Sequence, residues 1–222
     1  MLIPRLAACL FYLSLAACAG GGPEDGAAGG TGAVAPEMAG RLPDKLLVFE
    51  RQGMAVLPTI PPSVAVRYIH APTSGVASVI LRRGREPLPD GIDSAPVREE
   101  VAGLTLTLIG ALGNAPVIRL PDHILTRKGE AAPMLLCGNV LAPLSPEIMR
   151  RNLICVGGLA GQLVIIHVSG LQPRDKAMLA QLLFSAVAVQ AMDSLRPAPP
   201  APGVDAPVEA APSGNLGPVF HL

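Results

Sequence analysis

Apolar and polar residues alternate with period two over residues 64–70, where Val64, Val66 and Tyr68 oppose Ala65, Arg67 and Ile69. This pattern predicts a strand with one wetter face. Ala71-Pro72-Thr73-Ser74-Gly75 is turn chemistry, so residues 76–82 are predicted to return as its antiparallel partner. Upstream, residues 45–50 and 53–57 are short apolar segments, followed by Pro58, Pro61 and Pro62, which break regular pairing. The period then changes. Val97, Val101, Leu104, Leu108 and Leu112 recur every three or four positions and predict a helix. Ser94 reads as its N-cap, Pro96 falls in its first turn, Glu99 and Glu100 lie near its positive end, and Gly113-Asn114 ends it. Leu104-Thr105-Leu106-Thr107-Leu108 alone would pass for a strand, but length and caps decide for helix.

Residues 116–120, 123–127, 134–141, 152–156 and 162–169 are strand-like and separated by turn residues. Inside one connection, Ser145-Pro146-Glu147 repeats the helix-start chemistry for a turn or two. Gly157-Gly158-Leu159-Ala160-Gly161 joins the last two strands as a hairpin. Pro173-Arg174-Asp175 opens the strongest helix, which runs to residue 195 and is terminated by Pro197. Its middle, 177–192, is apolar nearly all round, which implies burial on more than one side. At about sixteen residues, with Gln181, Ser185 and Gln190 inside it, this run does not read as a membrane span. Strands in runs between two helices, with hairpins for connections, predict an α+β sandwich: a mainly antiparallel sheet packed against two helices. In outline, without any shared motif, this is similar to small exported α/β sandwiches of the PsbP and Mog1 type.

Composition divides the chain. Residues 196–222 are rich in proline and alanine, including Pro197, Pro199, Pro200, Pro202, Pro207 and Pro212, and are expected to be disordered because they bury too little apolar surface to offset ordering entropy. Only the end, with Val219 and Phe220, reads as able to dock. Residues 18–40 have Glu24, Asp25 and Glu37 as their only charges and no periodic apolar pattern, the composition of a flexible tether. Between them, residues 41–195 form the one globular domain. With 15 basic against 12 acidic residues it is nearly neutral, which argues against nucleic acid as a partner. The absence of tryptophan weakens any case for a stacking site for sugars or bases.

The first residues are an export signal. One positive charge precedes an apolar run over residues 6–15, too short to cross the ~30 Å of hydrocarbon that needs ~20 residues. The run closes on Leu15-Ala16-Ala17-Cys18, which resembles the lipobox of bacterial lipoproteins. That resemblance implies that residues 1–17 are a removed signal peptide and that Cys18 is acylated, with palmitate or a similar chain, as the membrane anchor. It places the protein in the bacterial cell envelope, on the periplasmic face of the outer membrane ahead of the inner. Ala17-Cys18-Ala19 also fits an ordinary cleavage site, which would release a soluble periplasmic or secreted protein starting at Gly20. Cys9 follows Leu6-Ala7-Ala8, but cleavage there would leave almost no apolar run.

Four cysteines, Cys9, Cys18, Cys137 and Cys155, leave two once the signal is removed and Cys18 carries lipid. An even remainder in an oxidising compartment suggests a disulfide between Cys137 and Cys155, both in short apolar runs that read as strands. The competing reading is a pair of buried, free cysteines. No CxxC and no histidine at ligand spacing accompany them, so no metal is expected.

Catalytic motifs are few. No GxSxG elbow, HExxH, P-loop or GxGxxG is present, and the glycines at 157–161 lack a following Lys-Ser/Thr. His167 and Ser169 fall on one face of a predicted strand, but spacing supplies no acid partner, and a hydrogen-bonded structural histidine is the preferred reading. Asp122-His123 are adjacent in a strand and point to opposite faces. Arg82, Arg83 and Arg85, and Arg150 with Arg151, form small basic patches that read as solvated surface.

These observations favour a lipid-anchored, non-catalytic binding or assembly module with an envelope protein partner and no cofactor. The alternatives are an envelope hydrolase using His167 with a nearby serine, and a carrier of a small apolar ligand held between the long helix and the sheet.

Overall fold

The hairpin predicted from the period-two pattern forms. In the computed structural model, which describes residues 34–59, 62–84, 88–113 and 115–197, β3 (Ser63–His70) buries Val64, Val66 and Tyr68. It pairs antiparallel with β4 (Gly75–Arg83), Val66 facing Val79. The turn is a short 3₁₀ segment, Ala71–Thr73, closed by Ser74 in the left-handed region at φ 47°. Before β3 come β1 (Lys45–Leu46) and β2 (Phe49–Leu57). A bulge between Arg51 and Gly53 bends β2.

The four later strands are β5 (Ile118–Thr126), β6 (Pro133–Pro143), β7 (Ile148–Leu159) and β8 (Gln162–Pro173). Two predicted segments, 116–120 and 123–127, thus merge into the single strand β5. The sequence suggested a break because Pro121 and Asp122 sit at a bulge, where the register passes from Leu120–Asn139 to His123–Cys137. Proline is tolerated there because β5 is an edge strand. Ser145-Pro146-Glu147 forms no helical turn. The Ser145 hydroxyl instead accepts from the amides of Glu147 (3.3 Å) and Ile148 (3.0 Å) and closes the β6–β7 connection. The final hairpin turns on two residues, Ala160 (φ 50°) and Gly161 (φ 75°), both left-handed as a type I′ turn requires. Gly157 and Gly158 belong to β7 itself.

All neighbours pair antiparallel in the order β1-β2-β3-β4-β8-β7-β6-β5. The α+β class and antiparallel sheet stand as expected. The layered sandwich does not: the eight strands curl into a half-barrel. Long strands coil with their inherent twist, and the bulges in β2 and β5 add to it. β8 is central, and its run Leu163-Val164-Ile165-Ile166 is buried on both faces.

Three helices pack on this sheet, one more than expected. α2 (Ala95–Ala111) follows Ser94, whose hydroxyl makes no cap hydrogen bond, and its first turn carries no acidic residue. Its buried positions are Val97, Val101 and Thr105, while Leu104, Leu108 and Leu112 are half-buried. Thr105 faces inward because the helix closes on Gly138, where any β-carbon would strike the Thr105 hydroxyl. On the opposite face, a 3₁₀ turn (Arg174–Lys176) leads into α3 (Ala177–Leu195), which buries Phe184, Val187, Ala188, Ala191, Met192 and Leu195. By length and composition the 174–195 segment would suffice to cross a membrane; here these six side chains pack it on the sheet.

The last part of the stretch expected as tether is instead α1 (Val34–Gly40). Met38 and Ala39 are buried in the core shared with α3, and Arg41 donates to the Leu195 carbonyl at the end of α3 (3.2 Å). The folded part therefore begins before residue 41, because two apolar side chains among small residues suffice to dock one short helix. The expected signal peptide, Cys18, the rest of the tether and the tail beyond Pro197 lie outside the described residues.

Candidate functional site

Two cores line the sheet, one under α1 and α3 and one under α2. Along β7, Leu153 and Cys155 face the first and Ile154 and Val156 the second. Cys137 and Cys155 are register partners on β6 and β7, both fully buried, with Cα atoms 4.0 Å apart and sulfurs at a bonding distance of 2.10 Å. The pairing read from cysteine parity is thus formed in the fold.

The candidate catalytic histidine has a different partner from the one a hydrolase needs. His167 Nε2 lies 3.3 Å from Asn152 Oδ1, which faces it diagonally from β7. Burial pushes the imidazole down to about 4, so at neutral pH it is uncharged. Asp122 gives its carboxylate to Arg119 (3.2 and 3.3 Å), not to His123. His70 is tied to the hairpin turn by Thr73 Oγ1 (2.7 Å) and packs on Phe49.

The free chain holds a proton on His167 below about 6.5, whereas the folded chain resists it until about 4, so the unfolded state binds more protons in that window. Folding stability contributed by the neutral ring is present above pH ~6.5 and is lost as pH falls toward ~4. His123, lowered first by burial and then by Arg151, acts in the same direction. Chemical denaturation between pH 7 and 4 should show this loss, and His167→Leu should flatten the pH dependence. An unchanged slope in that variant would assign the loss to other groups.

Of the basic patches, Arg82 pairs with Glu100 of α2, Arg83 is exposed, and Arg85 lies outside the described residues. Arg150 and Arg151 do not form a solvated pair. Adjacent on β7, they point to opposite faces, and Arg151 is only 2% exposed, among the largest fully buried side chains. Continuing the Leu153, Cys155 period one step back would have found it. The predicted strand began at Asn152, which left Arg151 in a loop.

Arg151 organises the most polar part of the α3 face. Its Nε donates to Gln172 Oε1 (3.1 Å), Nη1 to Asn139 Oδ1 (3.0 Å) and Gln181 Oε1 (3.4 Å), and Nη2 to the Ala177 carbonyl (3.1 Å). These partners come from β8, β6 and the first turns of α3, so one guanidinium ties three elements together. All four acceptors are neutral, and among the described residues Arg151 makes no ion pair. Desolvation accordingly holds the guanidinium below the usual arginine range. Around it, Asn139 Nδ2, Gln172 Nε2 and both ring nitrogens of His123 are buried without partners. The site thus has one positive charge, surplus donors and no anion. Chemically it is a polar tie between the sheet and the start of α3, built on one buried charge.

The chain is thus an α+β protein with a curled antiparallel sheet and a buried cationic centre. No protein-family model and no curated protein matches the chain. Among solved structures it is similar to the Ran-binding protein Mog1p of Saccharomyces cerevisiae, at 11% identity and a TM-score of 0.35, over 59% of this chain and 75% of that one.

Proposed function

We propose that this protein is a lipid-anchored component of the bacterial cell envelope, held by Cys18, whose domain is a non-catalytic module that binds an envelope protein. The observation that carries the reading is on α3. Met178, Leu179 and Leu182 are 78%, 64% and 63% exposed at the start of a helix whose other side is core. Large apolar residues grouped in this way on a folded surface mark a docking face. Arg174, Asp175 and Lys176, all exposed, stand just before it, so a partner with an apolar centre and a polar rim fits.

The anchor and the face are tested separately. Mass spectrometry of the mature N-terminus should find an acylated Cys18; an unmodified Gly20 start would remove the anchor. A photo-crosslinking residue at Leu182, in intact cells, should capture one discrete envelope protein that is lost in Met178→Glu with Leu179→Glu. The same residue at Leu106, equally open on α2 at 62% exposed, is the control. Identical products from positions 182 and 106, or none from 182, would count decisively against the α3 face.

A further inference from the structure

The sheet has two outer edges, and they are unequally protected. β5 carries Arg119, Pro121 and Asp122, with an Arg119–Asp122 ion pair and a bulge in mid-strand, all features that discourage a further strand. β2 has none of these over residues 53–57, Gly-Met-Ala-Val-Leu. β1 covers only Phe49 and Glu50, and the Arg51 amide donates to the Asp44 carbonyl (2.8 Å). From Gly53 to Leu57, β2 pairs with β3 on one side and, among the described residues, with no strand on the other. We infer that this edge pairs antiparallel with the same edge of a second copy of the chain, making one continuous sheet.

The limits of the free stretch set the register. The bulge at Gln52 ends it on one side, and Pro58, which has no N–H to give, ends it on the other. Five residues paired with themselves centre on Ala55, so that Met54 opposes Val56 of the second copy, Ala55 opposes its counterpart and Leu57 opposes Gly53. Directly opposed side chains in such a ladder share one face. Met54 and Val56 are in register with the core residues Val66 and Val64 of β3, yet they are 50% and 66% exposed. The apolar face of the sheet therefore runs out to this edge and stops in water, and a second copy supplies the missing row. Residues 53–57 are uncharged, so no like charges meet, and Gly53, whose flank is open, leaves room for Leu57.

The chain's other segments fit this edge poorly. Beyond residue 197 prolines recur every few positions, and residues 19–33 are mostly glycine and alanine, so neither supplies an uninterrupted apolar strand. Pairing β2 with β5 of another copy would build an open fibre, which the protected β5 edge discourages; β2 paired with itself closes after two chains. A five-residue ladder is a small interface, so the dimer is weak and exchanges with monomer.

The test uses the full-length protein, in intact cells and purified in detergent. Under mild oxidation Ala55→Cys should link to itself and give a species of twice the chain mass on non-reducing gels. Met54→Cys or Val56→Cys alone should give several-fold less, and a mixture of the two should recover the product. The parent protein and Leu106→Cys, exposed on α2, are the controls. Met54→Lys with Val56→Lys should abolish the Ala55→Cys link and, in sedimentation at high protein concentration, shift dimer to monomer with an unchanged melting temperature. Should the lysine pair not fold, the mixture of Met54→Cys with Val56→Cys decides. Equal linking at positions 55 and 106, an Ala55→Cys product joined to a different protein, no gain on mixing, or a monomer at every concentration would each overturn the pairing. The Leu182 crosslink reports on α3, so its loss leaves this result untouched.

Discussion

Replacing Arg151 by alanine should lower folding stability by about 3 kcal/mol. Hydrogen bonds to a charged group contribute roughly 1.5–3 kcal/mol each, and removing this donor strands the oxygens of Asn139 and Gln172 in the interior. Against that loss stands the cost of keeping a guanidinium out of water, several kcal/mol per ion, which alanine relieves. The cavity left by so large a side chain then tips the sum toward destabilisation. Two further variants separate these contributions. Arg151→Met fills most of the volume and removes the charge, so it should lose less than alanine. Arg151→Lys keeps the charge but replaces a planar fork with a compact ammonium of three donors, and should lose more than Met. Urea denaturation of the three variants reads the order directly; lysine as the best tolerated replacement would show that charge, not fork geometry, is what the site requires.

The sequence made Arg151 hard to see for a physical reason. A charged residue at a strand end is most often solvated, and nothing local distinguishes a guanidinium that will meet Gln172, 21 residues further on and brought beside it by the β7–β8 register. Local signals were informative wherever the structure is local. The Ala71–Thr73 turn, the Ala160-Gly161 turn and the helical spacing of Val97 and Val101 all specify their own surroundings. Residues 162–169 were likewise legible as a strand, though not as one covered on both faces. What escaped depends on contacts distant in sequence. Thr105 turns inward only because Gly138 lies beneath it, and α1 exists because Met38 and Ala39 find the core of α3. Cys137 and Cys155 were the exception among distant pairs, since parity alone proposed the partner and the β6–β7 hairpin then supplied the register.

Removing that bridge is the second large effect. Changing both Cys137 and Cys155 to alanine should cost about 3 kcal/mol, the chain-entropy value for a loop of this size, and lower the melting temperature by roughly 6–12 °C. The bridged residues are 18 apart and flank a hairpin whose backbone pairing continues on either side of them, from Leu136–Val156 to Pro143–Met149. The native register therefore survives without the bond, and the effect lies in the unfolded chain, which gains freedom. This makes a distinct forecast for urea: the double variant should unfold with a steeper denaturant dependence, because its unfolded state exposes more surface. Reductant should bring the wild type to the same melting temperature as the double variant. A single Cys155→Ser change should fall lower still, since it places an unpartnered hydroxyl in an apolar core beside Ile166 and Leu153. If reductant leaves the wild-type melting temperature unchanged while mass spectrometry shows free thiols, the two cysteines stabilise the fold only as buried apolar groups.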